Sequence, residues 1–371
     1  MALERYFPVG GPVSEDDIID REAFLENVTR RLGDGQNLLL AGARRIGKTS
    51  LALEVLRRLS RDGHDVAFVD LFGVTSLREM AEHLADALLQ NRTGVGRTVE
   101  RIRDLVQNAS GANVRLAAQG LELGLSFANR QGTDLDLLGE AFQITDQLAR
   151  HSNRRVILVF DEFQELSRLG PHLHKILRSH LQLKPHVSCL FLGSKPALLE
   201  QLFSRENEAF FRYATSLSVP QIPVEAWSYY LIQKFTVRGV AISAAEVRAL
   251  LTRTGGHPQD TMLVASEAYY VALEVQSDTV NLTILELAYS RALASLARAF
   301  ETLWESLGEH KAAQVLLKKL AGGDRPYSGN VATATVGRAL AYLISQNVLV
   351  KVGRGQYQFF EPMFGDYVHG L

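Results

Sequence analysis

The feature that most constrains this chain is a glycine-rich segment at residues 42–49, which reads GARRIGKT. It fits the pattern G-x-x-x-x-G-K-[ST] of phosphate-binding loops. The apolar run at residues 37–41 predicts a buried strand before the loop, and the apolar spacing over residues 50–60 predicts a helix after it. In this order the loop N–H groups and the positive end of the helix dipole converge on one anion. The segment therefore predicts an α/β fold that binds a phosphate-bearing ligand.

Four residues of this loop have separate expected roles. Gly42 and Gly47 permit backbone torsions that a side chain would block. Lys48 is expected to reach the β- and γ-phosphates of a nucleoside triphosphate, and the Thr49 hydroxyl is expected to hold Mg²⁺. Two alternatives stay open at this point: a chance match, and a degenerate site that binds nucleotide without hydrolysing it.

A second segment, residues 155–162 with the sequence RVILVFDE, supplies two carboxylates. Its β-branched apolar run predicts a strand buried on both faces of a parallel sheet. Ligands of open α/β sheets bind at the carboxyl ends of the strands, where Asp161 and Glu162 fall. Asp161 is expected to hold Mg²⁺ through its water shell, and Glu162 to orient and polarise an attacking water. The alternative is an acidic helix cap, but the intact loop favours hydrolysis.

A third apolar run, residues 187–194 with the sequence VSCLFLGS, predicts another buried strand. If this strand lies beside the one that ends in Asp161, its last residues can approach the γ-phosphate. Ser194, or Lys195 beside it, would sense that phosphate or position the water. The alternative is an ordinary strand end, because Gly-Ser is common in loops.

Composition limits the class of protein further. A chain of 371 residues predicts two or three domains. A net charge of −1 gives no indication of nucleic-acid binding. The single cysteine, Cys189, excludes a disulfide framework and fits a reducing cytoplasm. We expect a cytoplasmic protein without signal peptide or membrane contact, since no basic-apolar leader and no run of ~18 apolar residues is present.

Three domains are predicted along the chain. The α/β core is expected at residues 1–222, with an irregular N-terminal segment at 1–36 and an insert at about 91–133. Apolar and polar residues alternate within the insert, which predicts an exposed β-ribbon that either covers the core or contacts a partner or DNA. After two prolines, helical periodicity predicts a lid at residues 223–300. Residues 301–371 form the third predicted domain.

The lid contains a glycine turn, residues 254–258 with the sequence TGGHP. Pro258 occupies a favoured first-turn position of the third lid helix. His257 and Pro258 are expected to lie on the adenine or ribose side of a nucleotide. A plain helix-start turn is the alternative.

The last domain is predicted to be a winged helix, because a helix at residues 332–346 is followed by two short strands that turn at residues 353–355. Basic residues only slightly outnumber acidic residues here, which weakens the indication of DNA binding. Contact with DNA or with a protein partner both remain open. The residues expected to be exposed toward DNA are Thr333, Thr335, Arg338, Lys351 and Arg354.

The motifs together resemble the archaeal-type P-loop ATPases, an AAA+/STAND-related family that also occurs in bacteria. The resemblance implies an ATP-binding αβ core, a small helical lid and a C-terminal winged helix. It implies that residues 12–22 pack near the adenine. The matching segments are residues 12–22, 42–50, 160–166, 177–182, 191–194 and 254–258. The residues expected to contact ATP are Asp20, Arg21, Gly42, Arg45, Ile46, Gly47, Lys48, Thr49, Ser50, His257 and Pro258.

The resemblance also implies an arginine that reaches the γ-phosphate held by a neighbouring subunit. Arg212 is the matching residue, in a homo-oligomer with ATP between protomers. Arg205 and Arg178 are rivals for this role. A surface arginine without catalytic function is the alternative for Arg212.

Three functional hypotheses follow. The first is an oligomeric ATPase that couples nucleotide state to DNA-associated remodelling, loading or regulation. The second is a slow ATP-dependent switch that recruits a protein partner without direct DNA binding. The third is a structural or DNA-binding protein with a vestigial nucleotide site, which the preserved carboxylates disfavour.

Overall fold

The chain divides into two compact units. The computed structural model describes residues 6–42, 44–90, 113–116, 123–126, 133–152, 154–170, 172–328 and 332–371. We call residues 22–43 and 48–219 the sheet unit. We call residues 1–21, 44–47 and 220–371 the helical unit, and it includes the middle of the glycine-rich loop.

Five parallel strands form the central sheet of the sheet unit, in the order β2-β5-β6-β1-β7. Every residue of β5 and β6 is buried, as their apolar, β-branched sequences predict. The loop strand β1 and the carboxylate strand β5 both lie beside β6, so their carboxyl ends share one edge. The strands of this unit are β1 (Leu38–Ala41), β2 (Asp65–Asp70), β3 (Asn113–Leu116), β4 (Leu123–Ser126), β5 (Val156–Asp161), β6 (Val187–Gly193) and β7 (Thr215–Ser216).

Among the described residues of this unit, six helices accompany the sheet: α1 (Glu22–Gly33), α2 (Lys48–Arg61), α3 (Leu77–Gln90), α4 (Asp134–Ser152), α5 (Leu173–Gln182) and α6 (Pro196–Ser204). Strands β3 and β4 pair antiparallel, as the alternating pattern of the insert predicts. Residues 91–112 of the predicted insert lie outside the described residues.

An aromatic cluster fixes the segment that follows β5. Phe163 opens a 3₁₀ helix, Phe163–Arg168, and its ring lies 4.7 Å from Phe191 and 5.1 Å from Phe210. All three rings are fully buried. Edge-to-face contacts of this kind add stability beyond the buried area. The cluster therefore anchors the backbone directly after Glu162.

The helical unit contains seven helices and a hairpin within its described residues. Helices α7 to α10 form its first part, and Phe7 from the N-terminal segment packs 5.2 Å from Phe235 of α7. Helices α11 to α13 and the antiparallel strands β8 and β9 form its C-terminal part. The elements are α7 (Val224–Val237), α8 (Ala244–Thr254), α9 (Pro258–Glu274), α10 (Leu282–Ser306), α11 (Lys311–Ala321), α12 (Thr333–Ser345), β8 (Leu349–Gly353), β9 (Gln356–Phe359) and α13 (Pro362–His369).

The winged-helix prediction depends on a helix followed by two short strands. The structure has these elements as α12, β8 and β9, and helix α13 follows them. The sequence analysis did not predict α13, which begins at Pro362 after the turn at Phe360 and Glu361. Within the described residues, no helix is both long enough and apolar enough to cross a membrane.

Candidate active site

The glycine-rich loop connects β1 to α2. Strand β1 ends at Ala41, and α2 begins at Lys48. Lys48 is buried, with 7% of its surface exposed, and its Nζ donates a hydrogen bond to the Gly42 carbonyl at 2.8 Å. Ser50, in the first turn of α2, is also buried. The ammonium is therefore held at the loop itself, where a phosphate would meet the N-terminus of α2.

The middle of the loop has left-handed backbone torsions. Gly47 has φ 95° and Arg45 has φ 66°, a conformation that costs a non-glycine residue about 1–2 kcal/mol. Arg44 and Arg45 are exposed, whereas Ile46 is half-buried. A loop that keeps strained torsions of this kind is held by its surroundings, which is typical of binding sites.

A buried guanidinium, that of Arg21, lies beside residues 46 and 47. Its Nη1 donates to the Ile46 carbonyl at 2.8 Å, and its Nη2 donates to the Pro220 carbonyl at 3.0 Å. A Cβ on Gly47 would approach Nη1 to 2.9 Å and would stand on a backbone with φ 95°, so a side chain there would be strained and would displace Arg21. Arg21 is 6% exposed and, among the described residues, no carboxylate forms a salt bridge with it. Burial lowers its pKa to about 10, which leaves it charged at neutral pH.

The first residues of α2 meet the end of β5 through a direct hydrogen bond. The Thr49 hydroxyl donates to Asp161 Oδ2 at 2.7 Å, and the Glu162 N–H donates to Asp161 Oδ1 at 2.8 Å. Burial raises the pKa of Asp161, and the two hydrogen bonds oppose that shift. Hydroxyl and carboxylate oxygens are the ligands that Mg²⁺ prefers, so this pair fits the predicted metal role.

Glu162 follows Asp161 in a left-handed conformation, with φ 51° and ψ 44°. Its Oε2 accepts a hydrogen bond from the Ser194 hydroxyl at 2.7 Å and one from the Gln164 amide. The Ser194 N–H lies 3.3 Å from the same oxygen. Strands β5 and β6 are neighbours, and this adjacency places Ser194 against the carboxylate.

Lys195 and Ser194 have different partners. The Lys195 ammonium lies 3.4 Å from Glu165, which also pairs with Arg168 at 2.6 Å. Between the two alternatives of the sequence analysis, Ser194 is thus the residue that contacts Glu162.

In the helical unit, the lid turn brings His257 to the loop. His257 precedes α9, Pro258 is the first residue of that helix, and His257 Nε2 lies 3.4 Å from the Arg44 carbonyl. His257 Nδ1 lies 3.5 Å from Asp260 Oδ1. Burial is the largest single influence on the pKa of His257 and lowers it, but the Asp260 and Glu361 carboxylates and the Arg44 carbonyl together raise that pKa above its ordinary value. This turn therefore carries a buried ion pair when His257 is protonated.

Asp260 and Glu361 form the acidic side of this cluster. Asp260 is 0% exposed, and neither of its carboxylate oxygens accepts a hydrogen bond from the residues that the structure describes. Burial raises the pKa of Glu361, and the negative charge of Asp260 raises it further. A Cβ on Gly255 would meet the Pro362 ring at 2.8 Å, so the turn packs closely on the start of α13.

Other predicted residues lie apart from these contacts. Asp20 is exposed, with φ 49°. Arg212 is exposed, has φ 54° and stacks on Phe211 with its guanidinium 5.1 Å from the ring centre. It precedes β7, whose Thr215 pairs with the first residue of β1, at the edge opposite the loop. Within one chain, Arg212 therefore does not join Lys48.

Arg178, one of the two rivals of Arg212, packs on an aromatic ring. Its guanidinium lies 3.9 Å from the ring centre of Tyr213, and its Nη1 is buried without a hydrogen-bond partner in the described residues. Its contact with a neighbouring subunit stays a prediction. Arg205, just after α6, is exposed.

The predicted DNA-facing residues lie on α12 and the hairpin. Thr333, Arg338, Lys351 and Arg354 are exposed. Thr335 is half-buried, so it is less exposed than the sequence predicts.

The sequence analysis missed three residues of these clusters: Gln164, Asp260 and Glu361. Gln164 follows the Asp-Glu pair by two positions, a spacing that offers a weak signal. Asp260 and Glu361 offered none, because their proximity arises from the packing of α13 on the lid turn.

A comparison with protein families gives one match. Residues 30–202 match the family model of the AAA domain, which covers slightly less than half of the chain. The matched part contains the loop, Asp161, Glu162 and Ser194. No curated protein sequence matches the chain.

Solved structures match over nearly the whole chain. A Walker-type ATPase of Pyrococcus abyssi has a TM-score of 0.70 at 17% identity, covering 98% of this chain and 99% of that chain. The ORC2 protein of Aeropyrum pernix, in ADPNP–ADP complexes, has a TM-score of 0.61 at 16% identity, covering 99% and 97%. Cdc6p of Pyrobaculum aerophilum has 0.51 at 12%, covering 98% and 96%. This chain therefore has the fold of an AAA-type P-loop ATPase.

Proposed function

We propose that this protein binds and hydrolyses ATP, and that its nucleotide state drives a DNA-associated remodelling, loading or regulatory step. The observation that carries the proposal is the hydrogen-bonded series Thr49, Asp161, Glu162 and Ser194 at one sheet edge. The ADPNP–ADP complexes of the similar ORC2 protein support an adenine nucleotide as ligand.

The metal ligands in this proposal are Thr49 and Asp161. The Thr49 hydroxyl oxygen and Asp161 Oδ2 already lie 2.7 Å apart. Among the described residues, the buried Asp161 carboxylate accepts hydrogen bonds but forms no salt bridge. A bound Mg²⁺ would neutralise negative charge on the phosphate oxygens. The same loop supplies Gly42, Arg45, Ile46, Gly47 and Ser50 to the phosphates.

Glu162 is the proposed base for the attacking water. The water oxygen forms a bond to the γ-phosphorus, and the bond from that phosphorus to the β–γ bridging oxygen breaks. The products are ADP and inorganic phosphate, and the proton of the water is taken up by Glu162. Lys48 exchanges its hydrogen bond to Gly42 for the phosphates, and Ser194 keeps Glu162 in place.

The base and ribose are assigned to residues of the helical unit. Arg21 braces the loop through Ile46 and keeps a positive charge without a salt-bridged carboxylate in the described residues. His257 contacts the loop backbone at Arg44 and is followed by Pro258. Asp20, which is exposed and directly precedes Arg21, belongs to the same set.

Assembly is the next part of the proposal. Arg212 lies at the sheet edge opposite the loop, so it can serve catalysis only at the loop of another subunit. We infer a homo-oligomer in which Arg212 of one protomer faces the nucleotide of the next. An arginine in that role can contribute about 10³–10⁵ in rate.

DNA contact is assigned to a C-terminal winged helix. The exposed side chains of Thr333, Arg338, Lys351 and Arg354, with the half-buried Thr335, form the proposed surface. Three of these five residues are cationic, which suits phosphate contacts.

A second function, a slow switch that recruits a protein partner, is favoured by the lid turn. Gly255 packs on Pro362, and His257 contacts the Arg44 carbonyl, so the loop and α13 contact the same five-residue turn. A change in the loop can therefore reach the C-terminal part without any DNA.

Steady-state ATP hydrolysis by the wild type and by Lys48→Ala tests the proposal and separates the two functions. Each protein is measured with and without duplex DNA, at low salt and at ~0.2 M salt, where phosphate contacts weaken. Turnover that requires Lys48 and rises with DNA in a salt-sensitive way supports the first function. Turnover that requires Lys48 but ignores DNA supports the switch, and turnover that survives Lys48→Ala contradicts both.

A further inference from the structure

Gln164 is a buried amide that directly contacts the proposed base. It is 2% exposed and lies on the 3₁₀ helix that begins at Phe163. Its Nε2 donates a hydrogen bond to Glu162 Oε2. The aromatic contacts of Phe163 anchor this helix, so the amide has little freedom to move away from the carboxylate.

The orientation of the Gln164 amide follows from charge. If the amide were rotated by half a turn, its Oε1 would face the negatively charged Glu162 carboxylate, and two acceptors would repel each other. With Nε2 toward Glu162, Oε1 is buried and receives no hydrogen bond from the described residues. The contact with Glu162 is therefore favoured even though it leaves Oε1 without a donor.

Gly193 makes room for this arrangement. A Cβ at position 193 would collide with Gln164 Oε1 and with the Leu199 side chain. The glycine at the end of β6 is thus explained by space rather than by an unusual torsion. Any larger residue there would push the amide off Glu162.

The backbone of Glu162 also needs support from its surroundings. A left-handed conformation costs a non-glycine residue about 1–2 kcal/mol, and its side chain would rotate freely without fixed partners. Ser194 and Gln164 both donate to the same oxygen, Oε2. With the Ser194 N–H, three donors meet on this one oxygen, which fixes the carboxylate plane and leaves Oε1 as the proton acceptor.

We propose that Gln164 is a positioning residue, which together with Ser194 holds Oε2 of Glu162 so that Oε1 faces the attacking water. This inference rests on the proposed ATP hydrolysis. It assigns to Gln164 an effect on the rate of the chemical step and none on ATP affinity. Misplacement of a base by about 1 Å can cost about 10²-fold in rate, which sets the size of the effect.

The first test is Gln164→Met, which preserves side-chain volume and removes the donor. We expect kcat to fall about 10–100-fold while KM and the dissociation constant for a fluorescent ATP analogue change less than about 3-fold. Gly193→Ala should reproduce the loss, because its methyl group displaces the amide. A kcat of Gln164→Met equal to or above the wild-type value overturns the proposal.

The second test is Gln164→Glu, measured from about pH 8 down to about pH 5.5. At high pH the new carboxylate repels Glu162, whereas the neutral acid can donate to it, so the kcat ratio to wild type should rise as pH falls. Asp161, Glu162, Glu165, Arg168 and Lys195 are unchanged, so the added pH dependence belongs to position 164. A constant ratio overturns the proposal, including if Gln164→Met fails to fold.

The matched control is Gln201→Glu. Gln201 donates to the Glu208 carboxylate at 3.5 Å on the same unit, away from the proposed base. The ratio of the kcat of Gln201→Glu to that of the wild type should not change with pH. Glu162→Gln separates the two roles: wild-type turnover in this variant would reject Glu162 as the base and with it the role of Gln164, whereas loss in Glu162→Gln with full activity in Gln164→Met rejects only the role of Gln164.

Discussion

Two pairs of acidic residues, Asp161 with Glu162 and Asp260 with Glu361, differ in how their charges are compensated. In the sheet unit, Asp161 and Glu162 accept hydrogen bonds from Thr49, from Ser194 and from a neighbouring amide. In the helical unit, Asp260 is more deeply buried, yet its oxygens accept no hydrogen bond from the described residues, and His257 lies 3.5 Å away. Burial alone therefore does not distinguish the two pairs.

The difference distinguishes a preorganised carboxylate pair from a buried carboxylate that lowers the stability of the fold. Donors that already point at a carboxylate hold it ready for a charged ligand or a proton transfer. A buried carboxylate without donors costs several kcal/mol, which the rest of the fold must offset. We infer that the first pair serves the chemical step, whereas the second makes the lid turn sensitive to charge.

The largest expected effect comes from Asp161→Asn compared with Asp260→Asn. The change is chemically the same at both positions, but only Asp161 bonds to Thr49 and lies beside Glu162. We expect Asp161→Asn to lower ATP turnover about 10²–10³-fold and to raise the Mg²⁺ concentration required for activity. Asp260→Asn should keep turnover within about 3-fold. Equal losses in a steady-state assay would remove the distinction between the pairs.

Arg21→Met is expected to have the next largest effect. The variant leaves the Ile46 and Pro220 carbonyls without their donor and removes a buried charge beside the loop. A carbonyl that loses its hydrogen-bond donor costs up to about 1–3 kcal/mol, so we expect the free energy of unfolding to fall by about 2 kcal/mol. The fluorescent ATP analogue should also bind more weakly. Urea unfolding checks the first effect, and Arg21→Lys is the charge-preserving control.

Asp260→Asn should stabilise the protein at about pH 9. At that pH, His257 carries less positive charge and compensates the buried carboxylate least. Replacing the carboxylate by a neutral amide then removes a desolvation cost, and we expect a gain of about 1 kcal/mol in unfolding free energy. Urea titrations of both proteins measure it. A variant less stable than wild type at this pH would mean that unseen donors already compensate Asp260.

The smallest expected effect is a pH dependence from His257→Gln. Because the folded pKa of His257 is raised above its ordinary value of 6.5, its contribution to stability is complete below about pH 6.5 and is lost as pH rises through the folded pKa. The stability difference between wild type and variant should therefore be larger at about pH 6 than at about pH 9. A difference that grows with pH would contradict the ion pair with Asp260.

The sequence predicted much of the sheet unit, because its signals are local. The apolar β-branched run of β5 and the glycine-rich loop before α2 each define an element without knowledge of its neighbours. The contacts of Gln164 could not be predicted, since they depend on Gly193 at the end of the neighbouring strand β6 and on a single side-chain rotamer. The position of Glu361 beside Asp260 could not be predicted for the same reason, because it arises from the packing of α13 on the lid turn.

The most direct test of the central claim is a single-turnover experiment on Glu162→Gln. Wild type and variant are mixed with a limiting amount of ATP, and bound nucleotide and released phosphate are measured in the same samples. The account predicts that the variant binds ATP within about 3-fold of wild type but releases phosphate at least about 10²-fold more slowly. Phosphate release at the wild-type rate would show that Glu162 is not the base.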